Sequence, residues 1–172
     1  LREVMPVLVA ASVADTLAAG NPLRPGGARR DDVEPVTWLF SEYGRGIAAA
    51  DFLRAQASVR MFGYRLNAFL QPYDALLTPT MAQPPARLGT LDTLRSGFET
   101  FNRIVQPYVT FTQMFNMSGQ PAVSLPLHWT SEGLPIGVQV AGRFGEEALL
   151  LSLAAQFEAA LPWFGRRPPG VI

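Results

Sequence analysis

The chain has 172 residues, 48% of them hydrophobic and 16% charged, enough for a packed core under a sparsely charged surface. Its 14 basic and 14 acidic residues cancel, so no global field draws polyanions or nucleic acid to it. Every basic residue is Arg and Cys is absent, which excludes disulfides, thiol nucleophiles, Cys/His zinc sites and any lysine base or Schiff base within these residues.

Taken in chain order, residues 1–19 read as mainly helix, rich in Ala, Leu and Val, with Pro6 tolerable only near its first turn. The run from Met5 to Ala14 is closed by Asp15 and falls short of the roughly 18 apolar residues of a membrane span. Leu1-Arg2-Glu3 is a poor basic start for a signal peptide, and the apolar, Met-less beginning reads as a cut inside a longer protein. Residues 21–35 hold Pro22, Pro25, Gly26 and Gly27 with a charge cluster, so they read as a loop. Val36 to Leu70 is helical, divided by Gly44 and Gly46. In its second part Phe52, Val59, Phe62 and Leu66 share a face that leaves Arg54 and Arg65 outside.

Ala75-Leu-Leu-Thr78 is a short apolar run between Asp74 and Pro79, which predicts a buried strand followed by a proline-rich extended loop. Weaker helices are expected from Asp92 to about Val105 and from Tyr108 to Asn116. Ala122 begins a strand that Pro126 interrupts or leaves at an edge. Ile136, Val138 and Val140 alternate with Gly137, Gln139 and Ala141, a second strand joined to the first by the turn Thr130-Ser-Glu-Gly133. Glu146 to Leu161 is the clearest helix, with Leu149, Leu150, Leu153, Phe157 and Leu161 on one face and two glutamates at its positive end. Helices interleaved with short strands argue an α/β fold.

Catalytic groups are hard to find in this pattern. Serine–histidine chemistry needs an imidazole within reach of a hydroxyl and a third group to orient it. His128 is the single histidine, and on an unbroken strand it would share a face with Ser124 yet sit far along it. A surface histidine is the better reading. Glu146-Glu147 fits a helix start and Asp31-Asp32 a solvated loop, so neither makes a hydrolytic carboxylate pair. Gly44-Arg-Gly46 lies inside a helical run and cannot cradle phosphate. Phe111, Met114, Phe115 and Met117 form an apolar cluster running into Asn116, Ser118 and Gly119. Most such clusters are core, but an apolar pocket with a few placed polar groups has this composition.

Several motifs in order resemble the C-terminal part of the amidase signature family. They are Asp74-Ala-Leu-Leu-Thr-Pro-Thr80, Phe115-Asn-x-x-Gly-x-Pro-Ala122, Ser124-Leu-Pro126, Gly133-Leu-Pro-x-Gly-Val-Gln139 and Gly142-Arg143. The helix carrying Glu147, Leu150, Leu151, Ala154 and Glu158 follows, and Asp51, Arg54-Ala-Gln56 and Arg60 match the segment before. The best-matched region is 51–160. Gly119-Gln-Pro-Ala-Val-Ser-Leu-Pro-Leu-His-Trp129 and Leu161-Pro-Trp163 look most like amidases related to 6-aminohexanoate cyclic-dimer hydrolase.

The resemblance implies one α/β domain around a large mixed sheet, of which residues 1–172 are the C-terminal portion. It implies hydrolysis of a carboxamide or small amide by a Ser–cis-Ser–Lys mechanism with backbone N–H groups as oxyanion hole, and no cofactor. This chain has no Lys and no Gly-Gly-Ser-Ser-Gly-like run, so no catalytic residue and no metal ligand is assigned to it. Its expected share is Phe111, Met114, Phe115 and Asn116 as a wall on the acyl side of the pocket. Gly119, two residues before Pro121, is expected to permit an unusual backbone turn, and Gly133 to fit a turn position needing positive φ. A non-catalytic amidase-like binding or structural subunit is the alternative. The partner expected is a small amide substrate in the full-length protein, with neither nucleic acid nor membrane, and with self-association of the piece or a homodimer. For want of any address, the localisation expected is cytoplasmic.

Overall fold

The computed structural model describes residues 3–19, 26–92 and 97–166. The chain divides into two compact units, Leu1–Phe62 with Pro85–Tyr108, and Gly63–Pro84 with Val109–Ile172.

In the first unit α1 spans Val4–Ala19 and α2 spans Pro35–Arg45. Pro6 falls in the first turn of α1, where its missing N–H has no intrahelical partner to lose. Pro35 opens α2 for the same reason, and Gly46 caps it. The two helices pack on each other through fully buried Ala10 of α1 and through Gly44 and Ser41 of α2. Of the loop expected over 21–35, residues 21–25 lie outside the described residues. The remainder contains a single 3₁₀ turn at Arg30–Asp32, where the Arg29 N–H donates to Asp32 Oδ2 at 2.8 Å.

Helix α3, Ala49–Leu70, belongs to both units. Its inward face is the one the sequence predicts: Leu66 is buried and Phe52, Val59 and Phe62 are half-buried, joined by Ala55 and Leu70, while Arg54 and Arg65 are exposed. Helix α4 runs Phe98–Val109, later than the expected 92–105, with Pro107 inside it. Asp92 is not helical, and residues 93–96 lie outside the described residues.

The second unit holds a three-stranded sheet of order β1-β3-β2, made of β1 (Leu76–Pro79), β2 (Ala122–Trp129) and β3 (Pro135–Ala141). Both pairings are antiparallel. The expected hairpin is β2–β3, turned by Thr130 and Gly133 (φ +83°), with the Leu134 N–H held by Thr130 Oγ1 at 3.1 Å. Helix α5, Thr112–Ser118, is shifted from the expected 108–116. It ends at Gly119, which adopts φ +77° and donates its N–H to the Phe115 carbonyl.

Helix α6, Glu147–Ala160, covers one face of the sheet. Leu150 meets Leu125 of β2 and Val140 of β3 to form the core, with Val123, Leu153 and Phe157 packed around them. Leu161, expected on the same apolar face, is instead 51% exposed, because the helix has ended at Ala160 and its periodicity no longer sets the direction. Among the described residues no helix is long and apolar enough to cross a membrane.

Candidate functional site

The four residues expected to wall a pocket all lie on or beside α5. Phe111 is the residue just before the helix and is half-buried, as is Met114. Phe115 is 3% exposed and belongs to the core, whereas Asn116 faces solvent. The alternation follows from the helix: positions 111, 114, 115 and 118 turn inward and 116 does not. α5 thus presents an apolar, half-buried side that carries polar groups at its C-terminal end. There the Ser118 hydroxyl donates to Gln120 Oε1 at 2.8 Å, both side chains being buried. The Gln120 amide nitrogen is buried and has no hydrogen-bond partner among the described residues.

Opposite α6, the other face of the sheet is polar in its middle. Gln139 of β3 sits between Thr78 of β1 and Ser124 of β2 in the pairing register. Its Nε2 donates to Thr78 Oγ1 at 3.0 Å and to the Phe111 carbonyl at 3.3 Å, which ties the start of α5 to the sheet. Thr80, one row further along, brings its hydroxyl within 2.6 Å of the Ser124 hydroxyl, diagonally across Gly137. A β-carbon on Gly137 would come 2.8 Å from Thr80 Oγ1 and 3.0 Å from Ser124 Oγ, so only glycine leaves room for this contact.

Sequence reasoning missed this polar strip. Its one signal was a glycine and a glutamine alternating with valines on β3.

Ser124 and His128 do not make a catalytic pair. A register shift lies between Pro126 and His128, so Ser124 pairs with Gln139 while His128 pairs with Ile136. Those positions are three apart on β3 and point to opposite sides, so the shared face expected from simple alternation is lost. His128 is exposed, as the surface reading predicted.

Clefts among the described residues lie elsewhere, two of them in separate units. One, of about 590 Å³ in the first unit, is lined by Val7, Tyr43, Ile47, Asp51 and Arg54 among others. The other, of about 430 Å³ in the second unit, contains His128, Trp129 and Pro162, with the Arg166 guanidinium 3.9 Å from the centre of the Trp129 ring. Glu146-Glu147 behaves as a helix start: Glu146 precedes α6 and pairs with Arg143 at 3.3 Å, and Arg143 also donates to the Gln71 carbonyl. Among the described residues no three His, Cys, Asp or Glu side chains converge to hold a metal ion.

The sequence profile of the amidase family matches residues 25–151. The chain belongs to the amidase family. It is 35% identical over 156 residues to the 6-aminohexanoate-cyclic-dimer hydrolase of Pseudomonas sp. (strain NK87), a match covering 87% of this chain and 30% of that protein. The hydrolase of the same description from Paenarthrobacter ureafaciens is also 35% identical, over 155 residues. A solved structure of 6-aminohexanoate cyclic dimer hydrolase superposes with a TM-score of 0.78 at 30% identity, covering 93% of this amidase-family chain and 34% of its own. The chain therefore spans about 30% of the length of the curated relatives it matches.

Proposed function

We propose that these residues form the C-terminal portion of an amidase that hydrolyses the C–N bond of a carboxamide or small amide. The observation that carries the reading is 35% identity to 6-aminohexanoate-cyclic-dimer hydrolases over 87% of the chain, in a sequence without lysine. Amide hydrolysis by acyl transfer needs a nucleophile, a base to take its proton, and donors for the developing oxyanion. In the proposed Ser–cis-Ser–Lys mechanism all of these lie in residues preceding Leu1.

The hydroxyls within the chain fit that division of labour. Ser118 is buried and commits its proton to Gln120; Ser124 is engaged with Thr80. Among the described residues neither is hydrogen-bonded to a base. The portion described here contributes instead a sheet, a helical cover and, through Phe111, Met114, Phe115 and Asn116, a wall on the acyl side of the substrate pocket.

The test is to translate the reading frame upstream to its start codon and assay the product on simple carboxamides and on the 6-aminohexanoate cyclic dimer. A lysine followed by a Gly/Ser-rich signature, with amide hydrolysis, is the expected result, and residues 1–172 alone are expected to be inactive. Turnover by those residues alone, lost on changing Ser118 or Ser124, overturns the proposal. So does a frame that starts at Leu1.

A further inference from the structure

The cleft at the end of α6 owes its shape to two local irregularities. The register shift after Pro126 leaves Leu127 out of the pairing with β3 and sets His128 opposite Ile136. Leu127 packs toward the core, while His128 is turned out to solvent beside Trp129. A bulge of this kind re-aims the side chains that follow it. From the other side, α6 stops at Ala160 and the chain turns between Trp163 and Arg166, the Arg166 N–H donating to the Trp163 carbonyl at 2.9 Å. Trp163 packs against the core, which anchors the turn and brings Arg166 over β2. The Arg166 guanidinium lies 3.9 Å from the centre of the Trp129 ring, a stacking distance.

One permanent cation and one imidazole thus meet an apolar wall. Leu127, Trp129, Leu161 and Pro162 supply the wall, and Leu161 is 51% exposed there. Among the described residues no carboxylate lines the cleft, and neither the Arg166 nor the His128 side chain makes a hydrogen bond or an ion pair. Arg54 and Arg143, by contrast, are paired with Asp51 and Glu146. A guanidinium with one face on an aromatic ring keeps its N–H donors around its rim, in a fork that matches a carboxylate. The stack also holds the long side chain in place, so less freedom is lost when a ligand arrives. A volume of about 430 Å³ falls in the range of roughly 300–1,000 Å³ usual for small-molecule sites.

We propose that this cleft binds a small organic carboxylate. Its charge sits on the Arg166 fork beside the His128 ring, and its hydrocarbon part lies along Leu161 and Pro162. An inorganic anion would use only the first of these contacts and a neutral chain only the second. The source of the ligand rests on the reading of the chain as part of an amidase. Hydrolysis adds water across the C–N bond of R–CO–NH–R′ and releases R–COO⁻ and R′–NH₃⁺, so the acid product carries the charge that the cleft recognises and the amide does not.

The test is calorimetric titration of the protein translated from the complete reading frame, with hexanoate, with hexan-1-ol (chain without charge) and with inorganic phosphate (charge without chain). Hexanoate is expected to bind with Kd of about 1 mM or tighter. Arg166→Gln should weaken that binding about tenfold or more, as should Leu161→Asp, which sets a carboxylate in the cleft. Arg65→Gln, at an exposed arginine of α3, should leave it unchanged. Hexan-1-ol and phosphate should each bind at least about tenfold more weakly in the step that depends on Arg166. Hexanoate binding that neither cleft variant alters, both being folded by thermal melt, overturns the proposal. So does Arg166-dependent binding of hexan-1-ol or phosphate as tight as that of hexanoate. A complete protein that binds hexanoate as expected yet hydrolyses no amide keeps the site and loses the proposed function. One that hydrolyses amides and is indifferent to Arg166 loses the site alone.

Discussion

Gly44 of α2 lies against the carbonyl of Ala10 in α1 so closely that a β-carbon would come 2.0 Å from the carbonyl oxygen and 2.9 Å from the Ala14 β-carbon. The clash is with backbone, which no rotamer change relieves. Overpacking of this kind costs about 1–3 kcal/mol where side chains can shift, and more where they cannot. Gly44→Ala is therefore expected to lower stability by about 3 kcal/mol or to undock α1, read as a lower urea midpoint. Ala at Gly46, where the nearest atom to a β-carbon lies at 3.5 Å and φ is −86°, is the control and should change little.

Gly137 allows a second test of close approach. Gly137→Ala pushes against the Thr80 and Ser124 oxygens, and a loss of about 1–3 kcal/mol is expected. Removing the Ser124 hydroxyl relieves one of the two clashes, so Ser124→Ala combined with Gly137→Ala should cost less than the two single changes summed. Residues in contact commonly couple by about 0.5–3 kcal/mol in such a cycle. Strict additivity in denaturation midpoints would show that the hydroxyl pair does not close over the glycine.

The core makes a sharper contrast between neighbours. Leu150 is 3% exposed and meets Leu125 and Val140; Leu151 is 68% exposed. Leu150→Ala is expected to cost about 2–5 kcal/mol through lost transfer energy and a residual cavity. Leu151→Ala should stay within about 0.5 kcal/mol. Thermal melts of the two variants check this, and equal losses would mean that α6 presents a different face to the sheet.

The inward face of α3, the break at Gly46, the β2–β3 hairpin and the core side of α6 were legible because each is set by local periodicity or by a turn residue. What was not legible depends on contacts distant in sequence. Thr78 meets Gln139 across 61 positions, and nothing in Ala75-Leu-Leu-Thr78 says which strand it will pair with. The shift after Pro126 turned His128 away from the side Ser124 occupies, and a proline in a strand pattern signals an irregularity without giving its register. The candidate pocket wall was legible only as composition. Whether an apolar cluster is core or wall depends on what packs against it, which composition does not carry; Phe115 is 3% exposed and Asn116 is exposed.

That division predicts how the wall responds to mutation in the complete amidase. Phe115→Ala removes a buried ring and is expected to cost about 3–5 kcal/mol of stability, so any loss of activity there reports on folding. Asn116 is exposed, and its replacement by Ala should leave the melting temperature nearly unchanged. If Asn116 helps orient a substrate amide, KM for that substrate should rise about tenfold, equivalent to about 1.4 kcal/mol of binding, with kcat less affected. Met114→Ala, at a half-buried position, should cost some stability and weaken binding of longer acyl chains more than short ones. Kinetics for a short and a long carboxamide, set beside melts of each variant, separate the two contributions. An Asn116→Ala enzyme with unaltered KM for both substrates, together with a Met114→Ala enzyme that loses only stability, would place this side of α5 in the core and take it out of the substrate pocket.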